Sequence, residues 1–219
     1  MSNVMHSAIP ADWTAAQWVA DLGSIPLERI RMCPPPGTAT EQDVVASEIH
    51  EDRLCELIDG VLVEKAMGTY ESLLAVHIIR CLDTFVQARD LGIVLAPDAM
   101  LRILPAQVRM PDVCFISWQR LPGRAIPKGP VWGLVPDLAV EILSEGNTEA
   151  EMQRKLREYV EAGVRQVWYI DPASRSARSY TAVDRVEELT REQVLSGGDV
   201  LSGFELSLAE LFSRAPLQD

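Results

Sequence analysis

The sequence predicts an α/β (α+β) domain, a mixed β-sheet flanked by helices. Three observations predict it. Apolar runs of strand length recur at 111–116, 138–143 and 165–170; two longer stretches, 70–90 and 148–162, carry apolar residues at helical spacing; and these alternate along the chain as strands, helix, strands, helix, strands. Taken in order, residues 11–22 (ADWTAAQWVADL) read as a short helix, with Asp12 as N-cap and Trp18, Val19 and Leu22 on one face. Met32–Thr38 (MCPPPGT) is too rich in proline for helix interior and reads as an extended arm. Thr40 with Asp43 resembles a capping box for a helix through about Ser47. Residues 1–50 are taken as an N-terminal extension wrapped on a domain spanning 51–219.

Within that domain, LCELID-G-VLVEK places two apolar runs around Asp59-Gly60, a hairpin signal. A helix follows over 70–90, closed by Leu91-Gly92. Gly92–Ala96 leads into Leu101–Leu104, and Pro111–Ile116 and Leu138–Leu143 read as buried strands. Thr148–Ala162 is an amphipathic helix ended by Gly163. Arg165–Ile170 and Ala177–Val183 are strands, and Val186–Phe212 adds a short strand or two around Gly197-Gly198-Asp199 and a small final helix.

Composition narrows the function classes. The chain has 219 residues, 47% of them hydrophobic, which suits a packed core and excludes general disorder. No apolar run approaches the ~20 residues that cross a bilayer, and the first residues carry neither the basic nor the apolar segment of a secretory signal, so a cytoplasmic protein with no membrane partner is expected. Cys33, Cys55, Cys81 and Cys114 form no CxxC pair and are expected as buried free thiols. His6, His50 and His77 also lack metal-ligand spacing, which leaves oxygen ligands and a hard cation for any metal site. A net charge of −12 argues against a protein that coats nucleic acid generally, although a local cationic groove can coexist with an acidic exterior.

Three charged residues sit where strands and helices should be apolar. Side chains alternate along 137–143, so Leu138, Val140 and Ile142 share one face while Asp137, Ala139 and Glu141 share the other. A carboxylate there is costly unless it is paired or binds a cation, so Glu141 reads either as a metal ligand or as the partner of Lys155 or an arginine. Asp112 opens a second apolar strand and alone would also pass for a turn or cap residue. Lys155 borders the apolar stripe of Met152, Leu156, Tyr159 and Val160, where a lysine is ordinarily solvated. Together, two strand-borne carboxylates and a lysine suit metal-assisted phosphodiester hydrolysis. The acids hold Mg²⁺ or Mn²⁺, and the lysine orients the nucleophile or offsets developing charge.

At these residues the sequence resembles the Uma-two family of restriction endonucleases, a branch of the PD-(D/E)XK nuclease superfamily. The resemblance runs from Leu54 to Tyr180 through Glu56-Leu57-Ile58-Asp59-Gly60, Val108-Arg109-Met110-Pro111-Asp112-Val113 and Pro136–Ser144 (PDLAVEILS). It continues in Arg154-Lys155-Leu156, Glu158-Tyr159, Ala162-Gly163-Val164 and Val167–Pro172 (VWYIDP). It implies a restriction endonuclease-like core, with Asp112, Glu141, Lys155 and Glu56 as catalytic residues and Asp112, Glu141 and Glu56 around the metal. Leucine follows at the lysine place of the superfamily's acid-x-lysine triplet, Glu141-Ile142-Leu143, and the resemblance implies that Lys155 has taken over. Relatives often carry a histidine at the start of the long helix. This chain has Gly68–Ser72 (GTYES) there, so that role has no carrier unless Glu71 supplies one. Asp137 reads as a turn residue and only a reserve ligand.

The expected function is a metal-dependent endonuclease acting on nucleic acid. The alternatives are a catalytically inactive nuclease-fold module that binds or regulates, and a structural homodimer with Trp118, Trp132 and the Pro-rich arm at its contacts. Dimerisation is implied by the resemblance. Arg102, Arg109, Arg120, Arg124 and Lys128, before and between the two acid strands, read either as phosphate contacts or as a solvated segment.

Overall fold

The computed structural model describes residues 9–10, 12–66 and 68–213. His6, the first eight residues read for a signal, Ala11 at the start of the first predicted helix, and the chain after residue 213 lie outside the described residues.

α1 (Ala15–Asp21) begins later than Asp12 suggested, with Thr14 as its N-cap. A capping box needs a side-chain acceptor three residues on. Thr14 finds Gln17, whose Oε1 accepts from Thr14 N at 2.8 Å, whereas Asp12 would have found Ala15. α2 (Glu41–Glu51) is capped by Thr40 and Asp43 as expected and runs one turn beyond Ser47. β1 (Cys55–Ile58) and β2 (Val61–Glu64) form the expected hairpin. Asp59 and Gly60 both adopt positive φ, 48° and 76°, the pattern of a type I′ turn. Gly60 is required there twice over, since a Cβ would lie 2.6 Å from the carbonyl carbon of Gly37 on the Pro-rich arm.

α3 (Thr69–Ala88) ends at Arg89, and the left-handed residue behind it is Asp90 at φ 51°, not Gly92. Gly92 instead starts β3 (Gly92–Leu95), where a Cβ would meet the Ile116 carbonyl oxygen at 2.1 Å. There follow β4 (Met100–Leu104), β5 (Gln107–Arg109), β6 (Val113–Ser117), β7 (Val131–Trp132) and β8 (Leu138–Ile142). α4 (Glu149–Ala162) is capped by Thr148 with Glu151 and closed by Gly163 at φ 92°. The chain continues through β9 (Gln166–Asp171), β10 (Ser176–Ala182), β11 (Arg185–Leu189), β12 (Val194–Ser196), β13 (Glu205–Ser207) and α5 (Leu208–Ser213). Among the described residues no helix is long and apolar enough to cross a membrane.

Eleven of these strands divide between two mixed sheets, and β12 pairs with β13 in a separate antiparallel two-stranded sheet. The larger has the order β11-β10-β9-β8-β6-β3, with β8 and β9 parallel and joined by α4. The smaller has the order β2-β1-β5-β4-β7. Side-chain alternation on β8 sorts as expected. Leu138, Val140 and Ile142 join a core with α3, α5 and Trp168, while Ala139 joins a second core with Met152, Leu156 and Tyr159 of α4 and Leu101 and Ile103 of β4. The smaller sheet therefore rests beside α4 on that second face, and α2 covers its outer side through Val44. Met110, Pro111 and Asp112, between β5 and β6, carry the chain from one sheet to the other. The charged residues gather at this crossing.

Candidate active site

Asp112 and Glu141 meet because β6 and β8 pair antiparallel. Val113 lies opposite Val140, so one step on in the same register Asp112 comes opposite Glu141. Asp112 Oδ2 accepts from Ile142 N at 2.7 Å. Its Oδ1 lies 2.8 Å from Lys65 Nζ, an ion pair whose angle is not that of a hydrogen bond, so this buried oxygen has no directed donor. Both Glu141 oxygens are addressed from α4: Tyr159 donates its hydroxyl to Oε1 at 2.6 Å, and Lys155 Nζ donates to Oε2 at 3.1 Å. Helical spacing puts Lys155 and Tyr159 one turn apart on the face that packs on the sheet.

Glu56 enters from β1 of the smaller sheet. Its Oε1 accepts from Met110 N at 2.9 Å and stands 3.2 Å from Lys155 Nζ, and its Oε2 accepts from Arg109 at 2.8 Å. Arg109 in turn donates through Nε to Glu158 Oε2 at 2.8 Å, and the other Glu158 oxygen is held by Arg154 at the same distance. Arg154 goes on to Asp59 of the hairpin turn. A chain of alternating charge thus links both sheets and α4, with the Lys65–Asp112 pair set against its Glu141 end, and Glu56, Arg109, Asp112, Glu141 and Lys155 in this network are all under 5% exposed.

This burial sets the proton affinities. Burial pushes Glu141 up to about 7, with Asp112 and Glu56 adding to the rise against the opposing pull of Lys155 and Lys65. Burial also works to raise Glu56, but Lys155, Arg109 and the Met110 amide outweigh it and bring that carboxyl down to about 2. Lys155 is held above the ordinary lysine range, because Glu141 and Glu56 overcome the burial that would lower it. Glu56 is thus a permanent carboxylate, while Glu141 changes charge near neutrality.

The sequence reading brought together four residues, Asp112, Glu141, Lys155 and Glu56, and the fold places all four in this network. Three others were missed. Lys65 reads as the polar end of a hairpin strand, yet its side chain is 5% exposed and turned to Asp112. The local signal is no more than a lysine two residues past the apolar run Val61–Val63. Tyr159 was counted with the apolar stripe, and only its hydroxyl gives it away. Arg109 was grouped with the loop cations. The fold corrects that: it is fully buried between Glu56 and Glu158, because β5 runs inside the smaller sheet. Arg102, Arg120 and Arg124 pair with Glu41, Asp137 and Asp90 nearer the surface. The thiols need a similar correction, since Cys55 and Cys114 are buried but Cys33, on the Pro-rich arm, is exposed.

Among the described residues no three carboxylate, imidazole or thiol groups converge as a metal cage. A divalent ion of the Mg²⁺ type does not need one. It is commonly held by one or two carboxylates, with water and substrate oxygens completing the shell. Asp112 Oδ1, buried and without a directed donor, and the facing Glu141 fit that pattern. Next to them opens a cleft of ≈ 580 Å³, with Ala66 and Leu143 in its wall, each one residue beyond a group that contacts Asp112. Its lining includes Tyr70, Glu71, Ser144, Glu145 and Asp171 and, among the described residues, no lysine or arginine.

The family model of Uma2, described as "Putative restriction endonuclease", matches residues 41–209. The chain belongs to the Uma2 family. That span holds every residue of the network, from Glu56 to Tyr159. No curated protein matches the chain. Among solved structures it is similar to one described as that of a "putative nuclease belonging to DUF820" from Anabaena variabilis, with a TM-score of 0.64 and 18% identity over 74% of this chain and 91% of that one. At that identity the likeness establishes a shared fold, one of mixed sheets flanked by helices.

Proposed function

We propose that this Uma2 protein is a metal-dependent endonuclease that hydrolyses nucleic-acid phosphodiester bonds at Asp112 and Glu141. The observation that carries the proposal is the facing of these two buried carboxylates across neighbouring strands, with an undirected oxygen on one and a lysine on the other. Asp112 and Glu141 would hold Mg²⁺ or Mn²⁺, which when bound supplies Lewis acidity and lowers the pKa of a coordinated water. Lys155 keeps a donor beyond its two carboxylate contacts, and that donor serves to orient the attacking water or a phosphate oxygen. Tyr159 fixes the second Glu141 oxygen. Glu56, with both oxygens engaged, serves as the supporting acid that holds Lys155 in place. The test incubates wild type and Asp112→Ala with plasmid, single-stranded DNA and RNA, each with Mg²⁺, Mn²⁺ or EDTA. Metal-dependent cleavage by the wild type alone is expected; equal cleavage by both proteins would remove the assignment.

A second reading has its own observation. Every acid of the network already has an internal partner, and the cleft wall carries carboxylates where a phosphate backbone calls for cations. A non-catalytic module that binds or regulates through a nuclease fold fits this, and calorimetry that finds no divalent ion bound at millimolar concentration would favour it. Under either reading we take the protein as a cytoplasmic homodimer. Free thiols suit a reducing compartment, and α3 presents Leu73 and Val76 to solvent on one face. A monomeric mass by light scattering at micromolar concentration would refute the dimer.

A further inference from the structure

Lys65 and Lys155 are both buried beside the site acids, but their donors are used differently. An ammonium has three N–H groups and no acceptor. Lys155 meets two carboxylates, Glu141 at 3.1 Å and Glu56 at 3.2 Å, and keeps one donor. Lys65 donates to the carbonyls of Met110 at 2.6 Å and Pro97 at 3.0 Å and turns its remaining side toward Asp112 Oδ1 at 2.8 Å. All three of its contacts are to oxygens of the protein itself.

Two carbonyl oxygens and one carboxylate oxygen around a single positive charge are the ligands a hard cation takes. In two-metal hydrolytic sites the second ion sits roughly 3.5–4 Å from the first and shares a carboxylate with it. Asp112 is placed to be that shared carboxylate, with Glu141 on one side and Lys65 on the other. We infer that the Lys65 ammonium occupies the position of a second metal ion, so that the site takes a single divalent cation and Lys65 acts as the positioning residue for Asp112. The inference rests on the reading of Asp112 and Glu141 as metal ligands. It adds a count and a residue that this reading does not contain.

The experiment counts bound Mn²⁺ per chain, by electron paramagnetic resonance of the free ion and by calorimetry, for wild type, Lys65→Ala and Asp112→Ala. Circular dichroism reports whether each is folded. One ion is expected in the wild type, two in Lys65→Ala, where the oxygen cage stands empty, and none in Asp112→Ala. Where the alanine variant does not fold, Lys65→Ser, which keeps a polar side chain at the end of the hairpin and leaves the same oxygens uncovered, replaces it with the same expected count of two. Two ions in the wild type, or a folded Lys65 variant that still binds one with unchanged affinity, would overturn the inference alone. No ion in the wild type would overturn it together with the metal-dependent reading beneath it.

Discussion

Asp137 and Glu141 lie on the same face at opposite ends of β8, both almost fully buried, and their surroundings differ in kind. Asp137 accepts from Ser117 N at 2.9 Å and from Arg120 Nε at 3.0 Å, and Arg165 stands further off at 3.9 Å. Its arginines are 27% and 48% exposed, so its charge is shared with water. Glu141 is enclosed by Tyr159, Lys155 and Asp112 with nothing solvated among them. One end of the strand is a satisfied turn; the other is a carboxylate whose charge is finely balanced. What separates them is the access of their partners to water, which the strand itself does not record.

The most severe way to break the contrast is to remove Asp112, which faces Glu141 across the neighbouring strand, and to compare that with the loss of Asp137. Asp112→Ala is expected to lower metal-dependent cleavage by about 10²-fold or more, the scale of losing a group that stabilises transition-state charge. Asp137→Asn should cleave as wild type does, measured on the same substrate. Next comes Arg109→Met, which leaves Glu56 and Glu158 buried without their shared cation. A loss of about 3–5 kcal/mol in urea unfolding is expected. Arg120→Ala at the solvated end gives the smallest effect, about 0–1 kcal/mol.

Between these lies a pH effect that sharpens the comparison. Glu141 has its folded pKa raised, to about 7, so its stability contribution is full below its unfolded value and lost as pH rises through 7. Glu56 has its folded pKa lowered, to about 2, so its contribution is present above its unfolded value and lost as pH falls through 2. A cation binds the ionised form. Mn²⁺ affinity is therefore expected to fall about tenfold per pH unit below 7 and to level off above it, as one proton is displaced per ion bound. A flat titration between pH 5.5 and 7 would show that Glu141 is not a ligand.

The elements were largely legible because their signals are local. The Asp59-Gly60 turn, the Thr148 and Gly163 caps and the two-residue alternation of β8 all act within a few residues. The acids were legible for the same reason, since a carboxylate inside an apolar run stands out. Their partners were not. Arg109 reaches Glu56 and Glu158 across 53 and 49 residues, and nothing in its own segment separates it from the loop cations that follow. Lys65 and Asp112 are likewise joined only when the two sheets dock. The Asp12 and Gly92 expectations failed more narrowly. In each case a plausible residue stood near a better one, Thr14 with Gln17 in reach and Asp90 in the left-handed region.

The crossing at Met110–Asp112 has a consequence for when this chain becomes competent. Glu56 lies on the hairpin near the start, Asp112 in the middle, and Lys155 and Tyr159 on a helix made well after both. A ribosome that has released the chain only as far as Asp112 has produced the smaller sheet without β7 and an aspartate with no counterpart. The network is complete only after the two sheets and the late helix have closed on one another, so it belongs to the finished fold and to no fragment of it.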